Sequence, residues 1–461
     1  MRTVDLSLLT VALVFTVAVC GALGLWAGRC SNNKQDYFLA NRQLGWLPLS
    51  LTLVATQIGA GMMLGTSQEA FTSGIVGLFY SAGMGLGFLI LGFGVAGRLR
   101  ELNLCTTAQL FETHYGSKML RRFASLLSVA TLGGLLTGQV VASQKILSPI
   151  AGEWTLWLMA ILWGTLIIYT LFGGLRAVVA TDMLQVGIIV AALLATLGIC
   201  WVGNLHTASA HVWVSTRAGT TATVPWHKWQ SVLLMPACYA LIEQDLAQRF
   251  FSSKNRRCAL LAALIAAIAV ILLALLPLYF GLLARDLLPA TQQPTSHPLL
   301  LLMDSLGNPL LSCAMLCALL AAVSSTADSL LCAMASNVVY DFGQAGNIKL
   351  SRLVTAIVGI TALLLAPLAN SVLEVLTLSY TLSVSCLFVP IMACLFKKQV
   401  YTQAAWTSAL LGLFGFFATF LQTQAHQDVN PLPALLLSLA GYIVATLWEK
   451  KQTHKGQKQA I

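Results

Sequence analysis

Charged residues are scarce in this sequence, at 9% of 461 residues, whereas soluble domains carry roughly a quarter. Hydrophobic residues instead make up 57%. Sixteen acids and twenty-six bases cannot cover the surface of a soluble protein of this length, so most of the surface must face lipid. This composition excludes a secreted enzyme, a nucleic-acid-binding module and a disordered regulator, in spite of a net charge of +10.

Motifs for catalysis and for bound metals are also missing. The sequence has no HExxH, DDxxD or Walker motif and no CxxC pair. Its eleven cysteines lie mostly within apolar segments, where cysteine behaves as a small buried hydrophobic residue. One loop has three histidines, His206, His211 and His227, at spacings that fit no metal site. We therefore expect no enzyme, no cofactor and no metal beyond a transported ion, which leaves transport without ATP.

Long apolar runs are abundant, and a transmembrane helix needs about 20 such residues. Thirteen segments are predicted, at 6–27, 45–67, 75–96, 121–145, 154–171, 180–202, 230–248, 258–284, 309–340, 352–370, 371–395, 402–423 and 432–448. The boundary at Asn370 is the least clearly marked. The predicted fold class is an all-α polytopic membrane protein surrounded by lipid bilayer.

Positive charges are distributed unevenly between the two sides of these segments. If all thirteen cross, twenty-one of the twenty-six Lys and Arg residues lie on one side. Cytoplasmic loops are enriched in Lys and Arg, so we expect the N-terminus outside and the C-terminus in the cytoplasm. The expected location is the bacterial inner (plasma) membrane.

The second segment has polar and flexible residues near its centre. Gly59 and Gly61 each weaken a helix by about 1 kcal/mol relative to alanine. Thr56 and Gln57 are polar at the same depth. Irregular backbone at this depth is tolerated where it lines a cavity, so an interrupted helix is predicted here. Close helix packing is the alternative use of the glycines.

The ninth segment has a hydroxyl cluster at the same depth. Ser325 and Thr326 lie halfway along it, and Asp328 follows about one helical turn closer to the cytoplasm. Hydroxyls and free carbonyls together provide the oxygen ligands that a hard monovalent cation requires, which favours an ion site. Alternatively, these hydroxyls bond only to the preceding helical turn.

The seventh segment is expected to be interrupted at Pro236, because proline removes a backbone donor. Broken helices at corresponding places in two halves indicate a transporter's binding site. Asp245 and Arg249 are four residues apart, which predicts an ion pair at the cytoplasmic rim. Glu243 has no such local partner.

Five motifs resemble those of the sodium:solute symporter family, which includes proline, pantothenate, sialic acid, sugar and choline carriers. They are DYFLANR (36–42), ATQI (55–58), FGGLRAVVATD (172–182), QDLAQR (244–249) and SSTADS (324–329). The resemblance extends from about 36 to 398. It implies the five-plus-five inverted repeat of the bacterial leucine transporter fold.

This resemblance divides the chain into two inverted repeats, 45–202 and 230–398, joined by an external loop at 203–229. A first helix with its cytoplasmic loop precedes them at 1–44. Two further helices with a basic cytoplasmic tail follow at 399–461.

The resemblance also implies the site residues. The sodium ligands would be the carbonyls of Ala55, Ile58 and Ala322 and the hydroxyls of Ser325 and Thr326. Asp182 matches the family aspartate linked to a second ion site or an ion exit path. Asp328 and Ser329 stand where some members carry a pair of hydroxyl residues for that second site, and the two carboxylates could still hold an ion there. Gln57, Tyr80, Ser81 and Tyr239 fall on the family's substrate or gate positions. Pro236 and Glu243 join this predicted substrate or gating set from the interrupted seventh segment and not from the resemblance. Ser81 and Val270 replace residues of the sugar branch, so sugar is disfavoured.

The sequence therefore predicts a secondary active symporter that imports a small polar organic solute with sodium by alternating access. A proton-coupled or exchange carrier on the same fold is one alternative, with Glu243 or Asp328 as the titrating group. A sensor that binds its solute without transporting it is another.

Overall fold

The computed structural model of the protein describes residues 6–29, 34–203, 226–287, 297–342, 348–366, 372–397, 399–426 and 431–459. Within these ranges the chain is almost entirely helical and forms no β-strand. The α-helices are α1 (Leu6–Gly28), α2 (Lys34–Leu39), α3 (Trp46–Gln57), α4 (Thr66–Ser73), α5 (Leu78–Ile90), α6 (Ala96–Glu101), α7 (Gln109–Tyr115), α8 (Lys118–Ala151), α9 (Thr155–Val202), α10 (Trp226–Ile242), α11 (Gln244–Ser252), α12 (Arg256–Leu287), α13 (Pro298–Leu306), α14 (Pro309–Asn337), α15 (Ile348–Leu365), α16 (Val372–Phe396), α17 (Thr402–His426) and α18 (Leu432–Gln459). His206, His211 and Asn370 lie outside the described ranges.

Nine continuous helical stretches of the described chain are long and apolar enough to cross a membrane. Two of them, Gly61–Glu101 and Lys118–Val202, comprise 41 and 85 residues. At 1.5 Å per residue, the longer stretch greatly exceeds the roughly 30 Å thickness of the hydrocarbon layer, so it must turn back. The all-α membrane fold is confirmed, while the count of thirteen crossings stays a prediction.

Helix α14 forms the centre of the molecule. Within Pro309–Phe342, 89% of the most apolar window is buried inside the protein, against 28% for Thr10–Gly28 in α1. Helices α3, α8 and α9 all pack on α14. By contrast, α1 exposes large side chains such as Phe15 and Trp26, as expected for a helix that faces lipid. A site on α14 is therefore shielded from the bilayer.

The interruption predicted in the second segment is present. Helix α3 ends at Gln57, Ile58 leaves the helical conformation, and a π-helical turn begins at Gly61. A Cβ atom on Gly59 would lie 2.3 Å from Thr326 Oγ1. Glycine at this position therefore lets the broken end of α3 approach α14 closely.

The predicted interruption of the seventh segment at Pro236 is wrong, because the helix continues through this proline to Ile242. The break comes at Glu243, whose backbone is extended (φ −82°, ψ 151°), and α11 begins at Gln244. Side chains on neighbouring helices hold the Glu243 carboxylate, since Ser128 and Ser383 both donate to it. Pro236 removes only one backbone hydrogen bond, and the helix continues past it. The contacts of the Glu243 carboxylate with two other helices instead hold the backbone at Glu243 in an extended conformation.

Helix α9 bends at Gly174, between the fifth and sixth predicted segments. Gly174 has φ +57° and ψ −147°. A Cβ atom there would lie 2.3 Å from the carbonyl oxygen of Tyr37. Nearby, Arg176 Nε lies 2.5 Å from Asp36 Oδ1. The motifs at 36–42 and 172–182 are therefore in contact in the folded chain.

Candidate functional site

The broken end of α3 meets the middle of α14 through oxygen atoms. Ser325 Oγ lies 3.0 Å from the carbonyl oxygens of both Ala55 and Ala322. Thr326 Oγ1 lies 3.0 Å from the Thr56 carbonyl and 3.2 Å from that of Ala322. Four of the five predicted sodium ligands therefore belong to one cluster, and Ile58 is fully buried at the adjacent break.

This cluster, which we call the α3–α14 cluster, has the chemistry of a site for a hard cation. Its polar atoms are hydroxyl and carbonyl oxygens, the ligands that hard cations prefer. The hydroxyl protons point at neighbouring carbonyls in the present geometry, and a cation would replace those protons as the partner of the carbonyls. The alternative in which the hydroxyls bond only within their own helix is wrong, because both reach across to α3.

The second group of predicted ion-site residues lies next to this cluster. Asp182, Asp328 and Ser329 are completely buried. Ser329 Oγ lies 3.3 Å from Asp328 Oδ1, and Tyr169 donates to the other carboxylate oxygen at 2.7 Å. Thr52 donates to Asp182.

Arg249 enters this second group, which the sequence did not predict. Its side chain is fully buried and lies 3.5 Å from Asp182, and it also donates to Ser329. The predicted ion pair between Asp245 and Arg249 is wrong: Arg249 contacts only the backbone carbonyl of Asp245, at 2.6 Å. The i,i+4 rule describes exposed helices, whereas a buried guanidinium takes the partners that the fold supplies.

A polar cavity adjoins the α3–α14 cluster. The residues that line it are Thr56, Gln57, Gly59, Gly61, Tyr80, Leu135, Gln139, Tyr239, Asp245, Thr326, Leu330, Leu376 and Tyr380. Three of the predicted substrate or gating residues are among them, namely Gln57, Tyr80 and Tyr239. Thr326 belongs both to the cavity and to the α3–α14 cluster, so the two adjoin one another.

Tyrosines from three helices enclose this cavity. The hydroxyls of Tyr80 and Tyr380 lie 2.7 Å apart, and the rings of Tyr239 and Tyr380 are 4.5 Å apart between centroids. Tyr239 donates to Asp245 at 3.1 Å. The result is an aromatic cage, made of Tyr80, Tyr239 and Tyr380, with the carboxylate of Asp245 at one side.

The remaining three predicted substrate residues do not line the cavity. Ser81 lies 3.2 Å from Thr66 through their hydroxyls. Pro236 is within α10, and Glu243 is held by the two serines described above. Ser81 was predicted from the resemblance, Pro236 from its effect on the helix and Glu243 as an acid without a local partner, and none of these signals determines the direction of a side chain.

Sequence analysis missed Tyr380 and assigned Asp245 a different role. Tyr380 is surrounded in sequence by Thr377, Ser379, Thr381 and Ser383, and such a polar cluster inside an apolar segment is a usable signal. Asp245 is a carboxylate within a predicted span, and such residues mark functional sites by default.

Comparisons with known proteins identify the family of this chain. The model of the sodium:solute symporter family matches residues 37–412. The high-affinity choline transporter 1 of Drosophila melanogaster is 26% identical, over 97% of this chain and 79% of that protein.

Solved structures have the same fold. A Na⁺-coupled sialic acid symporter in a substrate-bound outward-open state superposes with a TM-score of 0.78 at 17% identity, covering 95% of this chain and 98% of its own. Mhp1, a transporter of the nucleobase-cation-symport-1 family, gives 0.61 at 15% identity, with 92% and 96% covered. The predicted class, sodium-coupled symport of a small solute rather than an enzymatic activity, is confirmed. Because the model of this family matches most of the chain, the chain belongs to the sodium:solute symporter family.

Proposed function

We propose that this protein imports a small organic cation together with sodium. The observation that carries the proposal is the cavity in which the aromatic cage and Asp245 adjoin Thr326. A cation over an aromatic face gains about 0.5–2 kcal/mol, and tyrosine rings commonly bind ammonium groups in this way. Asp245 supplies the opposite charge in a site sheltered from water.

Sodium is proposed to bind at the α3–α14 cluster, with Ala55, Ile58 and Ala322 contributing carbonyls and Ser325 and Thr326 contributing hydroxyls. Binding there joins the broken end of α3 to α14 and thereby shapes the adjoining cavity. One sodium ion moving inward releases about 2.3 kcal/mol for each 100 mV of membrane potential, which drives uptake of the solute.

Choline is the first solute to test, because the relative from Drosophila melanogaster is named a choline transporter. The aromatic cage is consistent with a quaternary ammonium group, which makes no hydrogen bonds of its own. Asp245 would also accept hydrogen bonds from a primary amine, so both kinds of cation belong in the first panel.

Transport proceeds by alternating access in this proposal. Tyr80 closes the cavity towards the outside through its hydroxyl contact with Tyr380, and Tyr239 lies on the path to the inside. The two inverted repeats at 45–202 and 230–398 move relative to one another. The distribution of Lys and Arg residues supports a cytoplasmic C-terminus. The proposed location is the bacterial inner (plasma) membrane, although any membrane that carries a sodium gradient could drive this transport.

Thermal unfolding of the purified protein in detergent tests substrate and ion together. We expect choline to stabilise the protein in sodium chloride and much less in potassium chloride of equal ionic strength. A ligand at a hundred times its Kd adds about 2.7 kcal/mol. The neutral isostere 3,3-dimethylbutan-1-ol should have no comparable effect; equal stabilisation by the two compounds would contradict recognition of a cation.

The ion site is tested with Ser325→Ala/Thr326→Ala. Loss of two ligand hydroxyls, at about 1 kcal/mol each, should raise the sodium concentration required for stabilisation by roughly tenfold or more. Ser312→Ala is the matched control, because Ser312 is a buried serine near the start of α14. An unchanged sodium requirement in the double variant would place the ion elsewhere.

A further inference from the structure

A groove between α16 and α18 takes no part in the proposed transport cycle. It has a volume of about 330 Å³, and its walls are mainly apolar, with Met392 and Phe396 on α16 and Leu439 and Ile443 on α18. Phe396, Leu439 and Ile443 are 56%, 42% and 47% exposed. The groove is therefore open on the outer surface of the helical bundle, where lipid surrounds the protein.

Lys397 lies at one end of this groove, directly after the last residue of α16. Its ammonium nitrogen is 4.7 Å from the centre of the Tyr442 ring. Within the described part of the chain, the side chain forms no ion pair with an acid. The contact with the ring leaves N–H donors of the ammonium available to an anion.

Arg98, on α6, adds a second cation at the same end. Its guanidinium carbon is 4.6 Å from the centre of the Phe396 ring, and Nη1 donates to the Leu395 carbonyl at 2.8 Å. A guanidinium has five N–H donors, and this hydrogen bond uses one of them. The side chain is exposed. Two cations therefore lie beside Phe396, where the groove ends.

The exposed face of α18 continues from apolar to positively charged in the same direction. Lys450 is seven residues after Ile443, so it lies on the same face of the helix, roughly 10 Å further along. Lys450 and Lys451 are both exposed and outnumber the adjacent Glu449. The uneven distribution of Lys and Arg predicts that this end faces the cytoplasm, and the cytoplasmic leaflet is rich in anionic lipids.

We propose that this groove binds an anionic phospholipid, with an acyl chain along Met392, Leu439 and Ile443 and the phosphate between Lys397 and Arg98. Apolar walls that end in two cations match the order of chain and headgroup in such a lipid. Basic pockets between membrane helices on the cytoplasmic side bind acidic headgroups in this way. The proposal does not depend on the solute or the ion proposed above.

A second copy of the chain fits this groove less well than a lipid does. Two copies inserted in the membrane in the same direction would place their groove cations at the same depth. A two-fold contact through the groove would bring these like charges together, and they would repel one another. An anionic headgroup instead neutralises them.

The preference for an anionic headgroup is the direct test. Native mass spectrometry of the purified full-length protein gives the Kd of the first bound dioleoylphosphatidylglycerol and of dioleoylphosphatidylcholine, which has the same chains without net charge. Two cations at the headgroup should favour phosphatidylglycerol roughly tenfold or more. Lys397→Gln should lose roughly fivefold of this preference, which corresponds to about 1 kcal/mol. Lys118→Gln, at an exposed lysine that begins α8, is the matched control and should lose none.

Two further measurements distinguish a lipid from other occupants. Ile443→Trp fills the groove from an exposed position and should weaken the first site for both lipids. Glycerol 3-phosphate is a headgroup without chains and should not compete with phosphatidylglycerol, even in large excess over the lipid. The mass spectrum also reports whether the protein is a monomer.

Several results would overturn the inference. These are equal affinities for the two lipids in the wild type, an unchanged preference in Lys397→Gln, an equal loss in Lys118→Gln, and wild-type affinities in Ile443→Trp. Competition by glycerol 3-phosphate would identify a site for a free anion instead. A dimer that Ile443→Trp converts to a monomer would assign the groove to a second copy of the chain.

Discussion

At the scale of single residues, the proposed substrate cavity contains side chains that the neighbouring sequence does not mark as functional. Tyr239 combines two contacts, a ring against Tyr380 and a hydroxyl that donates to Asp245. If the cage binds a cation through its rings, the ring of Tyr239 should matter more than its hydroxyl. The proposed chemistry therefore predicts different effects for two substitutions of Tyr239, one that removes the ring and one that removes only the hydroxyl.

We predict that Tyr239→Leu weakens choline binding in sodium roughly 2- to 30-fold, because it removes a cation–π contact worth about 0.5–2 kcal/mol. Tyr239→Phe keeps the ring and should bind choline more tightly than Tyr239→Leu. Ligand-dependent thermal shifts measure both affinities. Tyr279→Leu, beside Phe280 on α12, is a control for loss of a tyrosine elsewhere. Equal losses for the leucine and phenylalanine variants would indicate that the hydroxyl, and not the ring, binds the solute.

At the scale of the helix, the bend in α9 depends on one glycine. Gly174 has a positive φ, and its α-carbon faces the Tyr37 carbonyl with no room for a Cβ atom. This contact ties α9 to α2 and thereby positions Asp182, which lies eight residues further along α9. The bend is thus connected to the proposed ion-site region as well as to the fold.

We predict that Gly174→Ala destabilises the protein by about 1–3 kcal/mol from backbone strain alone, with the clash adding to it. Gly164→Ala is the matched control on the same helix, because its Cβ atom would meet no atom within 4 Å. Alanine there should leave stability unchanged or raise it by up to about 1 kcal/mol. Thermal unfolding compares the two, and an equally mild effect at both positions would contradict the requirement for glycine at the bend.

At the scale of the whole molecule, His297 connects the start of α13 to the broken second segment. Its Nε2–H donates to the Leu64 carbonyl at 3.0 Å, and its Nδ1 accepts from the Leu299 N–H at 3.3 Å. The second contact requires the neutral ring, because a protonated ring has no lone pair at Nδ1, whereas the contact to Leu64 is compatible with either form. Burial, together with the charge of Lys145, lowers the pKa of His297 from 6.5 to about 4.

The unfolded chain therefore binds a proton at His297 more readily than the native protein does. This contribution to stability is complete above pH 6.5 and is lost as pH falls towards about 4. The loss amounts to at most about 3 kcal/mol. We predict that His297→Gln flattens this part of the dependence of melting temperature on pH, whereas His114→Gln does not. An unchanged slope in the His297 variant would show that other groups cause the acid sensitivity.

Sequence alone determined the class of this protein and predicted that the residues of the α3–α14 cluster lie close together. Apolar segments of spanning length require a membrane, and a family motif on each of two segments identified Ala55, Ser325 and Thr326 as neighbours. These conclusions depend on local composition and on motifs that carry fixed spacing. They need no knowledge of how a particular side chain is oriented.

Only the tertiary structure decided which partner each buried polar group takes. Glu243, rather than Pro236, interrupts the seventh segment, because serines on two other helices hold its carboxylate. Arg249 binds Asp182 and Ser329 rather than the Asp245 side chain, and Tyr380 completes the cage from a distant segment. In each case, leaving a buried charge or hydroxyl unpaired would cost free energy, so the group pairs with a residue far away in sequence. Local spacing along the chain does not encode such a partner.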